Sequence, residues 1–237
     1  MFALYMNPIC LIICIILVLL CILVLWTNNC TYVENMSEEQ LNINTDPKVL
    51  DKIRLMLKNI HNLFQKNNLT YWIDGGTLLG AVRHGDVIPW DDDADICIMK
   101  NDEAKLIYLK KYLNEMGYDI IDFWGGYKIF PLDGFTIKND INYNYKYPFL
   151  DIFLVNEDGD RIIYDNEQVR EKWPNIYINN AELFPLKEYQ FNDFYLVGPY
   201  DYQSYLDRLY GTNWKNEAYK SYDHATEQFI KTIKFNI

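Results

Sequence analysis

Cysteine is scarce outside the first thirty residues of the chain. Of the five cysteines, only Cys97 lies beyond residue 30, and the sequence holds neither a CxxC pair nor a Cys/His cluster. A disulfide framework and a structural zinc site are therefore not expected. Cys97 stands in an apolar run, so we expect it to be a small core residue rather than a nucleophile.

Basic residues are also few. The 237 residues include 22 Lys and Arg against 33 Asp and Glu, which gives a formal net charge of -11. Non-specific nucleic-acid binding depends on clustered positive charge, so we expect no nucleic-acid partner. An anionic substrate would need a metal ion between it and the protein. The length and the 50% hydrophobic content suit one catalytic domain, which we place at 46–237.

No charged side chain precedes Glu34. Residues 9–26 are apolar and long enough to cross a bilayer, which predicts a transmembrane signal-anchor helix between a short tail, 1–8, and a stem, 27–45. A basic n-region is missing, so we expect the anchor to be retained rather than cleaved. The absence of flanking Lys and Arg leaves the orientation open. Three Asn-X-Ser/Thr triplets, beginning at Asn29, Asn35 and Asn68, favour a lumenal domain.

One stretch of the sequence, residues 71–98, contains most of the candidate functional residues. The strand-like run 71–73 is followed closely by two successive glycines. Glycine permits positive φ and lets the backbone approach a ligand without Cβ interference. We expect Gly75, Gly76 and Thr77 to contact phosphate, assisted by a helix over 78–83 whose N-terminus attracts anions.

Aspartates at a spacing of two follow shortly afterwards. Asp91, Asp93 and Asp95 lead into the apolar run 96–99, and in an extended chain their side chains share one face. Asp151 interrupts a second apolar strand, where a carboxylate is costly to bury unless it is paired or binds metal. The alternative for Asp151 is an edge strand that turns it to water. Oxygen ligands at this density favour Mg²⁺ or Mn²⁺.

Periodicity and end signals predict an α/β domain with a mixed sheet flanked by helices. Asp46-Pro47 begins a helix that runs to residue 67, and Asp102 caps a second that ends at Gly117. Apolar runs predict strands at 120–123, 127–130 and 149–155, with a hairpin turn at 157–160.

The run GGTLLGAVRHGDVIPWDDDAD, residues 75–95, resembles the signature of the LicD family. That family includes bacterial phosphocholine transferases, fukutin and fukutin-related protein, within the nucleotidyltransferase-fold superfamily. Further similarity occurs at 183–186, 197–199 and 210–214. The resemblance implies a nucleotidyltransferase-like fold. It also implies Asp93, Asp95 and Asp151 as catalytic metal ligands, with Asp91 in support.

The implied activity is metal-dependent transfer of a phosphorylated alcohol, of the phosphocholine or alditol phosphate type, from a CDP-linked donor to a glycan or glycoprotein. The product is a phosphodiester, and the implied location is an endomembrane lumen of the Golgi or ER type. Arg83 and Lys128 are candidates to neutralise charge on the leaving group. Alternatively, Arg83 pairs with an aspartate of its own loop and Lys128 is a solvated strand residue. Trp90 and Trp124 either stack on substrate or belong to the core.

A non-catalytic glycan-binding or scaffold protein of the same fold is the alternative function. Loss of a metal-binding aspartate would favour it. All four candidate acids, Asp91, Asp93, Asp95 and Asp151, are present, which favours an enzyme.

Overall fold

The computed structural model of the chain describes residues 43–138 and 143–237. Within it, Thr45–Ile237 forms one compact unit. The predicted tail 1–8, the predicted anchor 9–26 and nearly all of the predicted stem lie outside the described residues. Of the helices in the described ranges, none combines the length and the apolar character that crossing a membrane requires.

A seven-stranded mixed sheet forms the centre of the compact unit. Its strands, in chain order, are β1 Trp72–Ile73, β2 Ala94–Met99, β3 Tyr118–Phe123, β4 Gly126–Pro131, β7 Leu150–Asp158, β8 Arg161–Tyr164 and β9 Tyr177–Asn179. Across the sheet the order is β1-β2-β7-β4-β3, with β8 paired to the far end of β7 and β9 paired to β8. Only β2 and β7 pair in parallel among these described strands. The predicted mixed sheet is confirmed.

Helices and small hairpins surround this sheet. The helices are α1 Pro47–Lys66, α2 Gly75–Arg83, α3 Glu103–Tyr108, α4 Lys110–Glu115, α5 Glu167–Lys172, α6 Asn180–Leu183 and α7 Gln203–Tyr210, with a 3-10 turn at Lys100–Asp102. The remaining strands form three antiparallel pairs, β5 Phe135–Thr136 with β6 Lys146–Tyr147, β10 Lys187–Phe191 with β11 Phe194–Gly198, and β12 Glu217–Asp223 with β13 Gln228–Asn236.

Helix α1 begins where its capping signals predict. The Asp46 side chain accepts a hydrogen bond from the Lys48 backbone N–H at 2.9 Å, and Pro47 occupies the first turn. The apolar positions repeat every three or four residues and become one buried stripe: Val49, Leu50, Ile53, Met56, Leu57, Ile60, Leu63 and Phe64. Burial of this stripe in the core gives the helix its stability.

The second predicted helix differs in detail from the structure. It is divided at Leu109 into α3 and α4, although Leu106, Leu109 and Leu113 are fully buried as the pattern requires. Met116, the last residue of the predicted apolar stripe, is 40% exposed because the helix ends one residue earlier. The predicted hairpin turn at 157–160 is present, since β7 and β8 pair on either side of it.

Candidate active site

The glycine pair opens helix α2. We expected that helix to begin near Leu78, but it begins at Gly75, whose φ of +48° lies in the region that favours glycine. A Cβ on Gly75 would lie 2.9 Å from Asp95 Oδ2, and a Cβ on Gly76 would lie 2.6 Å from Asp91 Oδ2. The two glycines therefore let the helix N-terminus approach the aspartates, and both line the same cavity as those acids.

Thr77 is placed differently from Gly75 and Gly76. Its hydroxyl accepts a hydrogen bond from the Asp95 backbone N–H at 2.8 Å, and the residue is only 6% exposed. It is not among the described residues that line the cavity. The Thr77 side chain thus connects α2 to β2 through this hydrogen bond. Its position does not support the predicted contact with phosphate.

Three of the predicted metal ligands come together. Asp95 on β2 lies in register with Asp151 on β7, and Asp93 directly precedes β2. One carboxylate oxygen from each of these three residues lies within 4.8 Å of the other two. Because β7 lies between β2 and β4, the edge-strand alternative for Asp151 is wrong. A cluster of carboxylate oxygens is a donor set that suits a hard divalent cation.

Asp91 is not a member of this group of three. Its carboxylate instead faces the first turn of α2 at Gly76, and its residue lines the same cavity. A supporting role beside the metal site therefore remains a prediction for Asp91.

Burial and mutual repulsion disfavour the charged form of these acids. Burial, and then the charge of Asp92, raise the pKa of Asp91 to about 6. Burial likewise raises the pKa of Asp93 to about 8, although His224 opposes the shift. The pKa of Asp95 is raised well above its usual value by burial and by Asp93 and Asp151. Such a group favours the binding of a cation that would offset its charge.

Lys128 lies opposite Asp151 on the adjacent strand β4. Its Nζ donates to Asp151 Oδ1 at 2.6 Å and lies 3.1 Å from the centre of the Phe149 ring. Lys128 is only 5% exposed, so the solvated-strand alternative is wrong. Burial raises the pKa of Asp151, and the Lys128 ammonium opposes that shift.

Arg83, at the end of α2, also faces the cavity. Its Nη1 donates to the Trp214 carbonyl oxygen at 2.7 Å, and its guanidinium lies 5.5 Å from the centre of the Trp90 ring. The loop residue Asp86 pairs with Arg54 at 2.7 Å, and no salt bridge of the described residues involves Arg83. The alternative in which Arg83 pairs with an aspartate of its own loop is therefore not what the structure shows.

Sequence reasoning missed His224 and Asp92. His224 lies in the turn between β12 and β13, and its Nδ1 lies 2.7 Å from Asp92 Oδ1. Its Nε2 lies 3.2 Å from Asp93 Oδ2. Burial opposes a charge on the imidazole, but Asp93 and Asp92 outweigh it and raise the pKa of His224 to about 10. A single histidine far along the chain carries no spacing signal that could have revealed this contact.

A cavity of about 820 Å³ is lined by the four candidate acids, Gly75, Gly76, Arg83, Lys128, Asp92 and His224. The acids, the α2 glycines and His224 lie at one part of it, and aromatic side chains form much of the remaining wall. Trp90 and Trp124 both line the cavity, and Trp124 is 43% exposed, so Trp124 is not a core residue. The cavity has the size of a small-molecule binding site.

A second buried acid, Asp74, lies at the start of α2 and is only 3% exposed. The Tyr205 hydroxyl donates to its Oδ1 at 2.5 Å, and the Tyr164 hydroxyl donates to its Oδ2 at 2.8 Å. The Cys97 thiol donates to the same Oδ2 at 3.2 Å. Burial, and then Asp74, raise the pKa of Cys97 well above its usual value, which agrees with a core thiol rather than a nucleophile.

Comparison with known proteins identifies a matching protein family. The family model described as "LicD/FKTN/FKRP, nucleotidyltransferase domain" matches residues 68–201. An uncharacterized protein of Rickettsia prowazekii is 39% identical over 164 residues, which are 69% of this chain and 55% of that protein. This chain thus spans about half the length of that curated relative.

Two relatives with named activities are similar over shorter segments. Human ribitol 5-phosphate transferase FKRP is 41% identical over 58 residues, which are 24% of this chain and 12% of that protein. The lipopolysaccharide cholinephosphotransferase LicD of Haemophilus influenzae is 30% identical over 105 residues, which are 42% of this chain and 40% of that protein.

Proposed function

The chain belongs to the LicD family, and from this membership we propose that it transfers a phosphorylated alcohol from a CDP-linked donor to a glycan, with formation of a phosphodiester. Two relatives are named for transfers of this kind, one of ribitol 5-phosphate and one of phosphocholine. The observation that carries the proposal is the grouping of Asp93, Asp95 and Asp151 within 4.8 Å beside the N-terminus of α2.

The divalent ion would be Mg²⁺ or Mn²⁺, held by Asp93, Asp95 and Asp151 with Asp91 in support. All four are carboxylates, and hard cations prefer oxygen ligands. When bound, the ion supplies neutralisation of diphosphate charge and acidification of an attacking hydroxyl. The backbone N–H groups at Gly75 and Gly76 would bind a phosphate at the positive end of the α2 dipole.

The reaction exchanges the phosphoanhydride bond of the CDP-linked donor for a phosphate ester bond to the acceptor. The acceptor hydroxyl oxygen attacks the phosphorus that carries the alcohol, and the bond between that phosphorus and the oxygen of CMP breaks. Asp151 would take the hydroxyl proton on the oxygen that does not bind Lys128 Nζ. Lys128 keeps the Asp151 carboxylate in place, and Arg83 would neutralise charge on departing CMP.

Release of CMP tests the proposal. The full chain would be incubated with Mn²⁺, a panel of CDP-linked alcohols and candidate glycan acceptors, and CMP and the mass of the acceptor would be measured. The Asp151→Asn variant should bind donor within a few-fold of the wild type but lose most of its turnover, since the proton acceptor acts mainly in the transition state. Full turnover in that variant would contradict the assignment. If the wild type binds glycan but releases no CMP with any of the donors, the scaffold function would be favoured.

The membrane placement is a further part of the proposal. We propose that residues 9–26 anchor the chain and that 46–237 face an endomembrane lumen, since the family resemblance implies a glycan acceptor. Protease treatment of sealed microsomes tests the orientation. Protection of the 46–237 region until detergent is added is the expected outcome, and digestion without detergent would contradict it.

A further inference from the structure

The turn between β12 and β13 reaches the acid group from outside the part of the chain that the family model matches. That match ends at residue 201, whereas β12 begins at Glu217. His224, in the turn, nevertheless lies 3.2 Å from an oxygen of Asp93. The C-terminal hairpin therefore contributes a side chain to a site whose acids belong to the matched domain.

His224 is held firmly in this position. Its Nδ1 lies 2.7 Å from Asp92 Oδ1, and its backbone N–H donates to Asp92 Oδ2 at 3.1 Å. The rings of Phe149 and Tyr222 flank the imidazole edge-on, with centroids 5.4 and 4.8 Å away. Asp92 is only 4% exposed and also accepts a hydrogen bond from the Tyr147 hydroxyl at 3.3 Å. These contacts restrict rotation of both the imidazole and the Asp92 carboxylate.

A carboxylate that ligates a metal ion binds it well only if its oxygens are already aimed. Groups that hydrogen-bond to a ligand fix its orientation, and their removal typically weakens metal affinity by about 10- to 100-fold. Asp93 precedes β2 and is not held by the ladder of that strand, unlike Asp95 and Asp151. It is therefore the ligand of the three that most needs an outside contact.

We propose that His224 is a positioning residue, held by Asp92, that fixes the Asp93 carboxylate for divalent-cation binding and so makes the metal site dependent on the C-terminal hairpin. This inference rests on the metal-dependent function proposed above. It assigns no contact between His224 and the metal or the substrate.

Two effects oppose each other when His224 is removed, and the test must separate them. Loss of the imidazole frees the Asp93 carboxylate, which weakens metal binding. Loss of a cation beside the acids would strengthen the attraction for Mn²⁺. A variant that also replaces Asp92 removes one positive and one negative charge together. The His224→Ala/Asp92→Asn double variant therefore loses the contact without a change in net charge.

The experiment measures Mn²⁺ affinity of the full chain by electron paramagnetic resonance, without donor or acceptor. The His224→Ala/Asp92→Asn variant should bind Mn²⁺ at least about 10-fold more weakly than the wild type. The His224→Gln/Asp92→Asn variant has the same net charge but keeps an N–H donor that can reach Asp93, and it should recover most of the affinity. Lys234→Ala breaks the Lys234–Glu217 salt bridge of the same hairpin, at 2.8 Å, and should leave the affinity unchanged.

Three outcomes would overturn the proposal. One is wild-type or tighter Mn²⁺ binding by the folded His224→Ala/Asp92→Asn variant. Another is equal affinity of the Ala and Gln double variants. The third is a ¹⁴N coupling of a directly coordinated imidazole in the spin-echo modulation of bound Mn²⁺, which would make His224 a ligand. If circular dichroism shows that a double variant is unfolded, Asp92→Asn alone replaces it, with weaker Mn²⁺ binding expected and unchanged binding overturning the proposal.

This measurement is independent of transfer activity. A wild-type chain that binds Mn²⁺ but releases no CMP from any CDP-linked donor would contradict the proposed function and leave the role of His224 standing. Conversely, CMP release by the wild type together with wild-type Mn²⁺ binding by the His224→Ala/Asp92→Asn variant would contradict the role of His224 and leave the proposed function standing.

Discussion

The single carboxylate of Asp74 and the group of Asp93, Asp95 and Asp151 have opposite surroundings. Asp74 receives hydrogen bonds on both oxygens, from Tyr205, Tyr164 and Cys97. Asp93, Asp95 and Asp151 instead face one another, and of the described cations His224 and Lys128 form salt bridges with them. Burial alone therefore does not distinguish a structural acid from a functional one, whereas the groups around its oxygens do.

The two kinds of acid therefore have opposite effects on the free energy of unfolding. An acid with enough donors stabilises the fold, because its loss would leave buried donors without an acceptor. Acids that repel one another destabilise the fold until a cation binds, and they keep oxygens available for that cation. Four predictions test this contrast. Each changes an acid of one kind, or a donor to it, and measures a quantity that an acid of the other kind should affect differently.

The largest effect is expected from Asp95→Asn. Asp95 groups with Asp93 and Asp151. The amide should therefore remove a metal ligand and lower transfer by about a thousand-fold or more, which corresponds to ~4 kcal/mol of transition-state stabilisation. The free energy of unfolding without metal should stay equal or rise, because the neutral amide relieves repulsion. CMP release and thermal unfolding in EDTA measure the two quantities. Near wild-type transfer, or a marked loss of stability, would contradict the functional interpretation of this group.

Asp74→Ala should act on stability instead. The substitution leaves the Tyr164 and Tyr205 hydroxyls buried without their acceptor, and each such group costs ~1–3 kcal/mol. We expect the free energy of unfolding to fall by roughly 3 kcal/mol, a decrease of about 10 °C in melting temperature. Asp193→Ala is the control, since this carboxylate is 68% exposed in its salt bridge with Lys58. An equal effect of the two substitutions would mean that the Asp74 contacts add nothing.

The third prediction concerns pH and the stability of the metal-free chain. The pKa of Asp93 is raised to about 8, so between about 4 and 8 the folded state binds more protons than the unfolded state. Its contribution to stability is therefore present at low pH and is lost as pH rises through that window. The pKa of His224, raised to about 10, changes stability in the same direction above about pH 6.5.

Chemical denaturation in EDTA at a series of pH values measures this effect. The free energy of unfolding of the wild type should decrease between pH 5 and pH 8 by more than that of Asp93→Asn, since the amide has no proton to release. Identical pH profiles of the two chains would show that Asp93 ionises normally in the folded state.

Parts of the fold and the acids of the candidate site could be predicted from local sequence. The start of α1 follows from Asp46 and Pro47, because capping is a local hydrogen-bond requirement. The acids follow from their spacing and from the apolar strand around Asp151, because the alternation of a strand decides which side chains share a face. Family resemblance then gave these residues a chemical role.

Contacts between distant residues could not be predicted. Tyr164 and Tyr205 lie 90 and 131 positions beyond Asp74, and no period in the sequence connects them. His224 lies in a turn that pairs with Asp92 from 132 positions away. The helix start at Gly75 was also missed, since glycine is a weak helix former and its conformation there is left-handed. These features depend on tertiary packing, which overrides local preference.

The smallest effect is expected from Tyr164→Phe, which removes one hydroxyl donor and keeps the ring. A hydrogen bond to a charged group contributes ~1.5–3 kcal/mol, and the Tyr205 hydroxyl and the Cys97 thiol still contact Asp74, so we expect a loss near the lower limit. The control is Tyr195→Phe, whose ring is 53% exposed and whose change should stay within about 0.5 kcal/mol. In an Asp74→Ala background, Tyr164→Phe should no longer destabilise and should even stabilise, because it then removes an unpaired buried hydroxyl. A full and additive loss in that background would show that Tyr164 acts independently of Asp74, and the interpretation of Asp74 as a donor-satisfied structural acid would fail.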